Sequence, residues 1–104
     1  MPETRRFAPA AARNREPILS VLERFVPEGS RVLEIASGTG EHAVFLGARL
    51  PVASWQPTDP DPTARASVDA WRAHEGAARV LPAVDLDVRR QPWPVGPVDV
   101  VVCI

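Results

Sequence analysis

An α/β fold built on a parallel sheet is predicted by three features of this sequence. Short runs of branched apolar residues recur along the chain, stretches with helical spacing of apolar residues separate them, and the first run leads directly into a glycine turn that opens a helix. Strands alternating in this way with helices of about ten to fifteen residues indicate βαβ units. The 104 residues leave room for one domain, and an apolar content of 45% reads as globular rather than disordered or fibrous. A core of that size is modest, so the margin for folding alone is thin.

The elements follow in order. Ile18, Val21, Leu22 and Phe25 recur at helical spacing, widened by Leu19 and Val26, which predicts an amphipathic helix over 16–25. Pro17 suits its first turn, and Pro27 with Gly29 ends it. Residues 1–29 are thus an N-terminal helical segment ahead of a βαβαβ core over 30–104. Residues 31–36 read as a buried strand, and 40–50 as a helix with Ala43, Leu46, Gly47 and Leu50 on one face. After Pro51, residues 52–57 form a second strand. Asp61 caps a third helix with Pro62 at its first position, and Gly76 stops it after Glu75. Residues 78–86 and 98–104 read as the third and fourth strands. The last of these reaches the C-terminus as an apolar run with no cap or polar tail behind it, so the natural protein is expected to continue.

Twelve basic against thirteen acidic residues give a net charge of −1, which provides no electrostatic footprint for nucleic acid or an anionic membrane. All the basic residues are arginine, most simply a mark of coding composition. The single cysteine, Cys103, excludes an internal disulfide and is expected as a buried thiol in a reducing compartment. No stretch is long enough to span a membrane, and Arg5 and Arg6 are followed by no apolar leader, so a soluble, cytoplasmic protein is expected. No Cys/His cluster has metal-ligand spacing, and no metal is expected.

The chemistry is carried by the first turn, Glu34-Ile-Ala-Ser-Gly-Thr-Gly40. A strand that enters a helix through glycines gathers unpaired amides and the positive end of the helix dipole at one place. Gly38, Gly40 and Ala43 fit the G-x-G-x-x-A variant of a dinucleotide fingerprint, which would seat the pyrophosphate of NAD(P). The same residues fit the E-x-(A/G)-x-G-x-G turn of proteins that bind S-adenosylmethionine (SAM), with Ala36 at its small position. Glu34 separates the two. A carboxylate there helps hold the ammonium group of SAM but repels a pyrophosphate, and burying it in an apolar strand is expensive without a partner. The plainer explanation is a structural ion pair with an arginine such as Arg13 or Arg31.

Two further acids follow successive strands. Asp59, nineteen residues beyond Gly40, is placed to accept hydrogen bonds from ribose hydroxyls in either cofactor class. SAM-binding methyltransferases place after the third strand an acid that accepts a hydrogen bond from the adenine amino group. The spacing to Asp99 favours Asp87 over Asp85 as its counterpart, with Val88 supplying backbone or apolar contact to the ring. Asp61 is explained as a helix cap, His42 as a packed or surface histidine, and Trp55, Trp71 and Trp93 as core or rim.

With these residues in view, the sequence resembles the class I SAM-dependent methyltransferases of the methyltransferase-like 26 type. The likeness rests on residues 11–19 (AARNREPIL), 32–44 (VLEIASGTGEHAV), 55–61 (WQPTDPD), Leu86-Asp-Val88 and Trp93-Pro94. It implies a Rossmann-like sheet of seven strands, of which this chain supplies strands one to four in the order 3-2-1-4. It also implies SAM as cofactor, bound through Glu34, Gly38, Gly40, Asp59 and Asp87, and an acceptor-binding segment beyond Ile104. Arg13 and Asn14, ahead of the first helix, are expected to close over the cofactor. The acceptor, the catalytic residues and the oligomeric state are not encoded legibly. An NAD(P)-binding oxidoreductase and a SAM-holding module that transfers nothing remain the alternatives.

Overall fold

The computed structural model describes residues 3–104. In chain order it has α1 (Pro9–Leu22), β1 (Arg31–Ile35), α2 (Glu41–Arg49), β2 (Ser54–Pro57), α3 (Pro62–Glu75) and β3 (Val100–Cys103). The sheet runs β2-β1-β3 with both pairings parallel. Asp99 starts the β1–β3 pairing: its amide donates to the Arg31 carbonyl at 2.9 Å, and its carboxylate accepts from the Arg31 amide at 2.8 Å.

The predicted third strand is reduced to two parallel bridges on the outer side of β2, Trp55 with Val80 and Thr58 with Val84. The order 3-2-1-4 is kept, but the ladder is broken in its middle. Pro82 has no N–H to give, and the Ala83 amide turns away to Asp69 Oδ1 on α3 at 2.8 Å. The Gln56 side-chain amide instead donates to the Pro82 carbonyl at 2.8 Å.

Helix α3 obeys its signals closely. The Asp61 side chain accepts from the Thr63 amide at 2.9 Å, Pro62 opens the helix, and Gly76 ends it in the left-handed region. Helix α1 departs from expectation. It begins at Pro9, so Pro9 fills the first-turn position assigned to Pro17, and Pro17 lies inside the helix. Arg13 and Asn14 are therefore helical, not a lead. The buried stripe also rotates: Ile18, Leu19, Leu22 and Val26 pack on the core, while Val21 and Phe25 face solvent.

Strand alternation puts Val32, Trp55, Val100 and Val102 on one face, where α2 packs through Ala43, Val44, Leu46 and Leu50, flanked by α1 and α3. Val101 and Cys103 point the other way and are exposed, so the cysteine is not the buried thiol expected. Among the described residues no helix is long and apolar enough to cross a membrane.

Close packing of α2 on β2 predicts an unusual response at Gly47. A β-carbon there would lie 2.5 Å from Val80 Cγ2 and 3.2 Å from Trp55 Cβ, both fully buried. Alanine favours a helix over glycine by about 1 kcal/mol, but overpacking a full core costs about 1–3 kcal/mol. Gly47→Ala is therefore expected to lower stability by about 1 kcal/mol or more in urea unfolding, against its helix propensity.

Candidate functional site

The carboxyl ends of β1 and β2 are tied together before any ligand is considered. Past Ile35 the chain bends sharply, with Ala36 at φ 54°, which costs a non-glycine residue about 1–2 kcal/mol. The Ser37 amide then donates to the Thr58 carbonyl at 2.7 Å, and the Thr58 amide donates back to Ser37 Oγ at 3.0 Å. Thr58 Oγ1 donates to the Glu34 carbonyl at 2.7 Å. Gly38 and Gly40 follow at φ 61° and 92° and deliver the chain to α2.

The two glycines differ in what surrounds them. A β-carbon on Gly40 would sit 2.6 Å from the Val68 Cα, so this glycine lets the start of α2 pack on α3. A β-carbon on Gly38 would meet nothing within 4 Å. Gly38 is therefore the one that leaves room for a ligand.

Glu34 is 2% exposed and has no ion-pair partner among the described residues. Its Oε1 accepts from Ser37 Oγ at 2.7 Å and from Trp55 Nε1 at 3.2 Å, both neutral. The arginine explanation fails on placement: Arg31 pairs with Asp99 at 3.3 Å, on the far end of the strand, and Arg13 is exposed on α1 with no ion pair to Glu34 among the described residues. Burial pushes the Glu34 pKa up from its ordinary 4.5, the two hydrogen bonds oppose that, and the nearby Asp59 charge adds to it.

Glu34 lines an open hollow of about 310 Å³ at the strand ends. Ala36, Ser37, Gly38, Thr39 and His42 form one side of it, and Ala8, Ala10, Ala11 and Asn14 of the α1 region face them. The structure thus brings Asn14 to the hollow as expected, although from within the helix. His42 Nδ1 is a buried nitrogen with no hydrogen-bond partner, and burial lowers the His42 pKa. An imidazole nitrogen without a partner and a buried acid whose partners are both neutral fit a polar ligand better than an apolar one. A smaller hollow of about 120 Å³ lies among α1, α2 and α3 near Phe45 and Trp71, away from the strand ends where ligands of open α/β sheets bind.

Asp59 joins the turn itself: its Oδ2 accepts from the Gly38 amide at 3.1 Å and its Oδ1 from the Asp61 amide at 3.0 Å. Asp87 is not brought to the Glu34 hollow. It borders a separate depression with Asp85, Arg90, Pro92 and Pro94. Arg89 holds its carboxyl at a pKa of about 2, through side-chain and backbone hydrogen bonds. Val88 is exposed, and its carbonyl accepts from Trp93 Nε1 at 3.3 Å. Ser37, Thr58 and Trp55 escaped the sequence reading as partners of Glu34. The only available signal was Ser37, whose hydroxyl stands three residues beyond the acid.

Residues 5–104 match the family described as "Protein of unknown function (DUF938)", and the chain belongs to that family. Among solved structures it is similar to Trm5b from Pyrococcus abyssi, with 19% identity, a TM-score of 0.61 and coverage of 79% of this chain and 23% of that one. It is also similar to YjhP from E. coli, with 15% identity, a TM-score of 0.55 and coverage of 94% and 30%. The chain therefore spans less than a third of either neighbour. These likenesses show the fold, a Rossmann-like α/β arrangement with a parallel sheet flanked by helices.

Two outcomes test this geometry. Gly40→Ala is expected to destabilise by about 3 kcal/mol, from left-handed strain plus collision with α3 backbone, whereas Gly38→Ala should lose only about 1 kcal/mol. Equal losses in chemical denaturation would contradict the packing difference. For Glu34, the raised folded pKa means that the folded chain holds its proton more tightly than the unfolded one. Its contribution is full below the ordinary glutamate range and is lost as pH rises through the folded value. Glu34→Gln should therefore be more stable than the wild type at about pH 8, with the gap closing toward about pH 4.

Proposed function

We propose that this DUF938 chain is the SAM-binding part of a methyltransferase of the methyltransferase-like 26 type, acting on an acceptor still to be assigned. The observation that carries the reading is Glu34, a buried carboxylate held by neutral partners and open to the hollow beside the glycine turn. Such a group is suited to a cationic ligand: an ammonium beside it would hold it ionised against the burial that now raises its pKa. A pyrophosphate would meet the same charge as repulsion. Gly40, which a dinucleotide reading needs free for close approach, is packed against α3 instead.

SAM, when bound, supplies a methyl group already activated on a sulfonium, so the protein's part is mainly positioning. Glu34 would take the ammonium, directly or through water. The open side of Gly38 would admit the ligand to the backbone, with Ala36 flooring the turn and His42 and Asn14 as polar neighbours. Asp59, fixed by the Gly38 and Asp61 amides, would use its remaining acceptor capacity on the ribose hydroxyls. Asp87 and Val88 would meet the adenine, which requires Asp87 to exchange Arg89 for the base amino group. The fold of the two neighbours supports the class of reaction, and the acceptor stays open.

Calorimetric titration of the chain with S-adenosylhomocysteine and with NADH tests the reading. Binding of the first and not the second is expected, and Glu34→Gln should weaken it about ten- to a hundredfold, the range of a lost charge-assisted hydrogen bond. Tight NADH binding with no response to S-adenosylhomocysteine would sink the proposal.

A further inference from the structure

The residues ahead of α1 are strapped across α3 and α2. The Arg6 amide donates to Ser67 Oγ at 2.8 Å, and Trp71 Nε1 donates to the Arg6 carbonyl at 2.8 Å. Phe7 meets Trp71 edge-on at 5.2 Å, and the Arg5 guanidinium lies 4.9 Å from the Trp71 ring centre. The Ala8 amide, at the uncapped start of α1, donates to Glu41 Oε1 at 2.6 Å.

Both side chains that receive the strap also hold Thr39, the residue between the two glycines. Ser67 Oγ, fully buried, donates to the Thr39 carbonyl at 2.7 Å. Glu41 Oε1 accepts from Thr39 Oγ1 at 3.0 Å, and Thr39 Oγ1 accepts in turn from the Glu41 amide at 3.3 Å. Each strap amide is thus one side chain removed from the same turn residue. One wall of the hollow, Ala8 to Asn14, follows the strap, and the opposite side, Ser37 to His42, follows the turn.

We propose that Glu41 and Ser67 are positioning residues that lock the strap to the glycine turn, so that both sides of the ligand hollow open and close as one unit. Ordinary helix capping does not account for the pattern. Glu41 stands at the start of α2 yet gives its carboxylate to the start of α1, and Ser67 sits inside α3 with its hydroxyl shared between strap and turn. The choice of ligand in the test rests on the SAM reading above, while the lock itself does not.

Amide hydrogen exchange on the whole chain reads the strap through Arg6 and Ala8 and the turn through Gly38 and Gly40, whose amides bond to Asp59 and to the Ser37 carbonyl. In Glu41→Ala and in Ser67→Ala, all four amides should exchange about tenfold faster without ligand, and S-adenosylhomocysteine should dissociate about tenfold faster. Glu41→Gln, which keeps an acceptor oxygen, should recover most of both effects. Phe7→Ala approaches the lock from the other end, at a side chain 61% exposed. It too should speed the turn amides, and it remains decisive if a Ser67 variant fails to fold. Faster strap exchange with unchanged turn amides, or unchanged dissociation in Glu41→Ala, would overturn the lock. A wild-type chain that ignores S-adenosylhomocysteine overturns the SAM reading, and the ligand-free exchange then decides the lock alone.

Discussion

The carboxylate of Glu34 sets the terms for everything around it. It stands in the central strand, on the face that the helices cover, where little of it meets water. Ser37 and Trp55 both give their hydrogens to it, and each is thereby fixed for a second purpose. Trp55 is the largest fully buried side chain of the core, so its indole N–H needs an acceptor, and Glu34 provides it. Ser37, having spent its hydrogen on Glu34, is left to accept from the Thr58 amide, which aligns the ends of β1 and β2. The acid is therefore both the feature proposed to meet a ligand and the anchor of the turn that would hold it.

What could be read from the sequence was what short-range chemistry determines. Asp61, Pro62 and Gly76 bound α3 because a cap, a fixed φ and a left-handed stop act within one turn of chain. The boundaries of β1 and the glycine turn were legible for the same reason. Long-range choices were not. Pro17 was expected to open α1, but Pro9 does so, where the strap bonds of Arg6 and Ala8 hold the chain just before it. The third strand carried a strand-like composition, but Pro82 and the pull of Asp69 on Ala83 decided that it bridges rather than ladders.

The site shows the same division. Glu34, Gly38 and Gly40 belong to one strand end and its turn, and Asp59, after the neighbouring strand, is bonded to that turn through the Gly38 amide, because strand ends in a parallel sheet converge. Asp87 lies after a bend rich in proline and is claimed by the arginines that follow it. Its charge is neutralised locally, through contacts two and three residues away, and no periodicity in the sequence marks an aspartate as already engaged. The partners of Glu34 were missed for a related reason: Ser37 and Trp55 each look complete as a turn serine and a core tryptophan.

A buried acid with neutral partners is an odd investment for stability alone. Glutamine at position 34 could keep an oxygen facing Ser37 and Trp55 without an ionisable group in the core, and on the pKa argument it would make the folded state less sensitive to rising pH. The strain at Ala36 and the unpartnered His42 nitrogen lie within the same few residues. Three unfavourable features between the end of β1 and the start of α2, in a domain with a small core, are hard to explain by folding. They are coherent if the turn is shaped for something that arrives later: a cation to stabilise the carboxylate, a polar group for the imidazole, and a backbone approach that only the open side of Gly38 allows.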